Sequence, residues 1–147
     1  MGQGWIRQGL GGWLLAVSLC LVPAAAWAQR SELYDAAGGY VGYVERSGDR
    51  INHYDSGGRY LGYDRRRGIR IERYDAAGIY MGYRQDQPTG RRQQYDAAGR
   101  YVGYIERSGS RLNRYDADGR FVGYEQRSGD RVKRHDAGGR YLGDRDD

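Results

Sequence analysis

The chain has 147 residues, with 24 basic against 19 acidic side chains, 25 glycines and 15 tyrosines, but one cysteine. That length suits one modest domain, and a basic surplus this diffuse excludes the clustered cationic face that a nucleic-acid reader needs. A lone cysteine excludes a disulfide framework and a thiolate zinc site.

The first segment, "MGQGWIRQGL" followed by "GGWLLAVSLCLVPAAAWA", is a basic and glycine-containing start, an apolar run and a small-residue close at Ala26, Trp27, Ala28. This order predicts a signal peptide over 1–28, a helix cleaved between Ala28 and Gln29; the run is short and broken by Pro23, which argues against a retained anchor. All three tryptophans and Cys20 leave with it, as does Arg7, so the mature chain, 29–147, has no thiol and carries 23 basic against 19 acidic groups. Every basic residue left except Lys133 is arginine. The expected setting is the periplasm or the outside of the cell, and the surplus biases the chain mildly toward anionic partners such as acidic glycans or lipid headgroups.

Periodicity settles the organisation of 29–147. Asp35, Asp55, Asp75, Asp96, Asp116 and Asp136 follow Tyr34, Tyr54, Tyr74, Tyr95, Tyr115 and His135, a period of 20 residues with one step of 21. Four residues after each leading aromatic stands a glycine (38, 58, 78, 99, 119, 139). Two further on stands an aromatic, then an aliphatic (Val41, Leu61, Met81, Val102, Val122, Leu142), then a second glycine (42, 62, 82, 103, 123, 143). The six copies fill the mature chain as a single domain.

Each Asp turn has a mechanism. The carboxylate accepts from the backbone ahead of it, two small residues suit a type I turn, and glycine supplies the left-handed bulge of a hairpin loop. A second turn, usually Ser-Gly (Gly48, Gly68, Gly109, Gly129), follows after a run rich in Tyr, Val, Ile and Arg, which is strand length and strand chemistry. The prediction is all-β: an antiparallel meander of about twelve short strands, two per copy.

Strict alternation would put Val41 and Tyr43 on one face and Tyr40 and Gly42 on the other, with these aliphatics and Ile51, Ile71, Leu112 and Val132 as the core. The second glycine reads as a seat for a cross-strand ring or as a tight bend. Copy three is irregular: "RQDQPTGRRQQ" carries the extra residue, a proline, and Arg92 in place of an aliphatic, which predicts a bulge or a longer loop. The two chain ends are complementary half-units. Pairing Tyr141–Gly143 with Leu33–Asp35 would close the meander into a ring or barrel without exposed edges; an open β-solenoid is the alternative.

At "YDAAGRYVGY" (Tyr95 to Tyr104) and "YDADGRFVGY" (Tyr115 to Tyr124) the sequence resembles the YD repeats of RHS-type bacterial surface and toxin proteins. More loosely, it is similar to small secreted bacterial proteins whose copies close into a flower-like ring. The resemblance implies β-hairpin repeats in an extracytoplasmic setting and brings no catalytic residue.

No nucleophile, metal or acid–base constellation breaks the pattern, so the expectation is a non-enzyme with no cofactor and no metal. His53 reads as a solvated strand residue and His135 as an aromatic stand-in; the Asp116–Gly119 stretch "DADG" is the best calcium candidate but lacks further oxygen ligands, and reads as a turn. If tyrosines bind a ligand, the candidates are Tyr43, Tyr63, Tyr83, Tyr104 and Tyr124, because the sixth copy accepts the polar Asp144 there. Rings interleaved with arginines suit a glycan; the opposing reading is that they fill a core. Two functions follow as expectations: an envelope protein binding a cell-envelope polysaccharide or other surface component, or a structural module contacting a surface protein. Neither involves nucleic acid or a membrane span after cleavage.

Overall fold

The computed structural model describes residues 29–146; the expected signal helix lies outside the described residues. Twelve strands follow one another: β1 (Gln29–Asp35), β2 (Tyr40–Ser47), β3 (Arg50–Asp55), β4 (Tyr60–Arg67), β5 (Arg70–Asp75), β6 (Tyr80–Asp86), β7 (Arg91–Asp96), β8 (Tyr101–Ser108), β9 (Arg111–Asp116), β10 (Phe121–Ser128), β11 (Arg131–Asp136) and β12 (Tyr141–Asp146). Each pairs antiparallel with its neighbours in sequence, and β12 pairs with β1 to close a barrel. The seam joins Leu33 to Arg145, Tyr34 to Asp144 and Asp35 to Gly143. Closure therefore holds and the open solenoid does not, with β12 meeting β1 through residues slightly beyond the expected stretch.

The register fixes the shape. Ser47 pairs with Arg50 and Arg50 with Arg65, yet the repeat equivalent of Ser47 is Arg67, so the ladder slips two residues per copy. Six copies accumulate a stagger of about twelve residues over twelve strands, the same ratio as an eight-stranded barrel of shear eight, whose strands tilt by about 36°. The corresponding radius is roughly 11 Å, wider than side chains alone can fill.

The Asp turns form as their chemistry requires. In the first, Asp35 Oδ1 accepts from Ala37 N at 2.9 Å and Gly39 N at 2.8 Å, while Gly38 N bonds Asp35 O at 3.1 Å and Gly38 takes φ +81°. The second turns are two-residue loops with Gly48 at φ +59° and no positive φ at any non-glycine among the described residues, which is the II′ pattern. The irregular copy has a longer loop: Gln87 N bonds Arg91 O at 2.8 Å, Gly90 N bonds Gln87 O at 3.0 Å, and Gly90 takes φ +81°. It is an Asp-type turn in which glutamine stands for aspartate and Pro88 supplies the first central φ.

Two expectations about faces are corrected by one device. On the β1–β2 ladder Leu33 pairs with Gly42 but Tyr34 pairs with Tyr40, which leaves Val41 as an unpaired bulge residue. A bulge breaks alternation, so Tyr40 lies on the same outer face as Tyr43, and Val41 is turned out of the wall. The bulge aliphatics are not core: Val41, Leu61, Met81, Val102, Val122 and Leu142 are 41–52% exposed. Of the expected core aliphatics, the ones that face inward are Ile51, Ile71, Leu112 and Val132, the last only 6% exposed. Of the two readings of the second glycine, the seat for a ring is corrected. A β-carbon on Gly62 would lie 2.3 Å from the carbonyl oxygen of Tyr74, so the position is reserved for a close backbone approach and not for a ring.

Candidate functional site: an arginine-lined lumen behind a tyrosine wall

The outer face is built from a repeated pillar. Tyr43 stacks on Tyr54 across β2 and β3 with centroids 4.6 Å apart, and the Arg30 guanidinium lies 3.8 Å from the Tyr43 centroid. Because Tyr54 already occupies one side of that ring, the arginine covers the other. The same sandwich holds Tyr63 (Tyr74, Arg50), Tyr83 (Tyr95, Arg70), Tyr104 (Tyr115, Arg91) and Tyr124 (His135, Arg111). Edge-on contacts join each pillar to the next aromatic, as Tyr74 to Tyr80 at 5.6 Å.

All five candidate tyrosines are thus on the outer wall, half-buried, with both ring faces covered. A sugar would find no free π-face on them. Tyr43 does border an open surface groove with Arg30, Tyr34, Tyr40 and the turn at Ser56. His135 is the aromatic stand-in expected. In the sixth copy Asp144 replaces the tyrosine, is 5% exposed, and accepts from Arg131 at 3.2 Å beside the seam.

The inner face answers a question that the repeat pattern alone leaves closed. Alternation from the paired glycines places Val44, Asp64, Arg84, Ile105, Glu125 and Arg145 at one inward position. Its cross-strand partners in the same hairpin are His53, Arg73, Gln94, Arg114 and Arg134. Nearer the Ser-Gly end, Arg46, Arg66, Asp86, Arg107 and Arg127 oppose Ile51, Ile71, Arg92, Leu112 and Val132. Ten of these inward side chains are arginines and three are carboxylates, a strong local excess hidden inside a chain whose overall charge is only +5.

Two clusters organise the lumen. Asp64, 3% exposed, accepts from Arg73 Nε at 2.8 Å and Nη2 at 3.1 Å, and from Arg84 Nη2 at 2.6 Å. His53 Nε2 lies 3.5 Å from the same carboxylate without a hydrogen bond. Arg84 on β6 reaches Asp64 on β4 past the intervening β5, across the inner face. Asp86 accepts from Arg92 at 2.6 Å and faces Arg66 at 3.6 Å, so Arg92, the departure in copy three, brings its own partner.

Electrostatics follow from that geometry. Burial works to raise the Asp64 carboxyl, but the hydrogen bonds and charge of the Arg73 and Arg84 guanidinium groups outweigh it and hold it well below the usual carboxylate range. Burial lowers Arg84, with Asp64 opposing. His53 is corrected from a solvated strand residue to a lumen residue, 28% exposed at its side chain. The sequence signal that could have found the lumen is the column Val44, Asp64, Arg84, Ile105, Glu125, Arg145: a position that varies between apolar and charged while its neighbours stay fixed.

These groups enclose a cavity of 370 Å³, walled by Val44, Ile51 and Ile71 on one side and by Arg73, Arg84 and Arg145 elsewhere, and bordered at the Ser-Gly end by Gly48 and Asp49. Among the described residues no cluster of three or more His, Cys, Asp or Glu could hold a metal ion. In the "DADG" turn Asp116 Oδ1 accepts from Asp118 N and Arg120 N, and the Asp118 carboxylate pairs with Arg120. The arrangement can hold an anion by charge and by paired N–H donors. No protein-family model matches the chain, and no curated protein matches it.

Proposed function

We propose that the mature chain is an exported, non-enzymatic binding barrel that takes an anionic component of the cell envelope into its lumen. The observation that carries this reading is the inward excess of guanidinium over carboxylate. Among the described residues no carboxylate lies within ion-pair range of Arg46, Arg107, Arg134 or Arg145. Arg145 is half-buried beside the cavity and the other three are exposed; like charges gathered on one concave face repel, and an anion relieves that repulsion.

The tyrosine pillars support the reading indirectly. They build a rigid wall, so the lumen is pre-organised rather than assembled on binding. Strands of six to eight residues are shorter than the nine to eleven that a membrane-spanning strand uses, which favours a barrel standing in the aqueous envelope. The resemblance to YD repeats agrees with that setting.

Thermal melting at low salt with phosphate, citrate and a sulfated disaccharide, against neutral glucose, tests the proposal. Anions should raise the midpoint and glucose should not, because a ligand binding only the folded state stabilises it by mass action. No shift with any anion overturns it.

A second reading, a structural module contacting a surface protein, draws on the ring of exposed aliphatics from Val41 to Leu142 near the Asp-turn end. Apolar groups repeated round a rim suit a protein partner more than a glycan.

A further inference from the structure

We propose that the lumen holds one compact organic polyanion, its phosphate or carboxylate groups clamped between Arg84 and Arg145, with Asp64 acting as a built-in competitor for the same guanidinium cluster. This rests on the anion-binding reading above and narrows it to a site and a ligand class.

The clamp follows from topology. Arg84 is on β6 and Arg145 on β12, six strands apart in a closed ring of twelve, so they rise from opposite walls. Both nevertheless line the same 370 Å³ cavity. An anion on the barrel axis is therefore met from two sides, which a point contact on a surface cannot provide. The planar fork of arginine donates two parallel N–H groups to phosphate or carboxylate.

The lining sets the number of charges. Arginines at 46, 66, 73, 84, 92 and 145 line the cavity with Asp49 and Asp64, and Asp86 pairs with Arg66 and Arg92, so six cations meet three anions. Such an excess favours a ligand with more than one negative group. The volume fits a small molecule and excludes a polymer chain lying in full length. Val44, Ile51 and Ile71 give that molecule an apolar wall, so a carbon skeleton bearing the charged groups fits better than a bare inorganic ion.

Asp64 distinguishes a binding site from a structural ion-pair cluster. It engages Arg73 and Arg84 at 2.6–3.1 Å, and an incoming anion competes for the same N–H groups. Neutralising it should strengthen anion binding, whereas a cluster built only for stability offers no such gain.

Isothermal titration calorimetry of the purified protein with citrate, pyrophosphate and inorganic phosphate tests this at low ionic strength. The expected result is one site, with citrate and pyrophosphate binding at least tenfold tighter than phosphate. Arg84→Gln and Arg145→Gln should each weaken citrate binding at least tenfold, Asp64→Asn should tighten it severalfold, and Arg50→Gln on the outer wall should leave it unchanged. Circular dichroism and melting check folding; if a glutamine variant does not fold, Arg84→Lys or Arg145→Lys is read instead, with weakened binding expected because charge is kept and the fork is lost. Tight binding untouched by Arg84 and Arg145 but lost in Arg46→Gln/Arg66→Gln sinks the clamp and leaves the lumen reading standing. Weak binding at several sites, reduced equally by Arg50→Gln, overturns the clamp and the lumen reading together.

Discussion

The β-carbon that Gly42 lacks would lie 2.2 Å from the backbone carbonyl oxygen of Tyr54 on the neighbouring strand. The equivalent distance is 2.2 Å for Gly103 against Tyr115 and 2.2 Å for Gly143 against Tyr34 across the seam. The close approach is thus a property of every junction between Asp turn and ladder, and it explains why all six copies keep glycine there.

Gly103→Ala should cost more than about 2 kcal/mol, combining a backbone clash with an unfavourable φ of +141°, and lower the melting midpoint by roughly 5–15 °C. Gly109→Ala is the control: φ is +61° but nothing lies within 4 Å of the added carbon, so only the left-handed penalty of about 1 kcal/mol applies. Equal losses in the two variants would show that the close approach to Tyr115 carries no cost.

The seam gives a second prediction. β12 supplies both the last rung of β11 and the closing partner of β1. A chain truncated before Tyr141 exposes two edges of unpaired N–H and C=O groups. It should lose its cooperative thermal transition and associate through those edges in sedimentation. A monomer that melts at the full-length midpoint would contradict a closed, mutually dependent ring.

The tyrosine pillars give the third. Arg50 covers Tyr63 at 3.8 Å and also donates to Tyr60 Oη at 2.7 Å and to Asn52 Oδ1 at 2.8 Å. Arg50→Ala should therefore destabilise by about 1–2 kcal/mol, a cation–π contact plus part-buried hydrogen bonds. Arg50→Lys should recover only part of this, since an ammonium cannot lie flat on the ring while donating in two fixed directions. Denaturant midpoints of the three proteins decide it.

The repeat, its turns and its closure were legible because each rests on local chemistry. Asp35, Gly38 and Gly48 state their turns outright, and the half-units at Leu33 and Tyr141 state the seam. The faces were not legible, because one bulge residue per copy shifts every side chain after it to the opposite side; Val41 reads as core only while alternation is assumed to run unbroken. The lumen was hidden for a second reason. Asp64, Arg84 and Arg145 are separated by 20 residues or more and look like ordinary strand charges until the barrel folds them onto one axis.

Acid should weaken the barrel through Asp64. Its folded carboxyl titrates below its unfolded value, so the stability it contributes is present above about pH 4 and is lost as pH falls through the lower, folded value. Asp55, Asp96 and Asp136 are lowered as well, chiefly by the backbone N–H groups of their own turns, and act in the same direction. In melts between pH 7 and pH 2, Asp64→Asn should flatten part of the acid limb and leave the part due to the turns. An unchanged acid limb would mean that the Arg73 and Arg84 contacts add nothing to folding.

Alkali acts through the opposite sign. The hydroxyl of Tyr34 donates to Glu32 at 2.7 Å and that of Tyr74 to Glu72 at 2.9 Å, and in each case this hydrogen bond is the leading cause that holds the phenol above its ordinary value. A group raised in the fold contributes stability that is complete below its unfolded pKa, near 10 for a phenol, and is lost as pH rises through the folded value. Absorbance of phenolate at alkaline pH should therefore show a fraction of tyrosines ionising late in the folded protein and at the ordinary pH once it is unfolded in denaturant. Glu72→Gln keeps an acceptor but removes its charge, so Tyr74 should ionise earlier while the fold persists. If the late fraction is the same size in Glu72→Gln as in the parent, the Glu72 carboxylate is not what holds the Tyr74 proton.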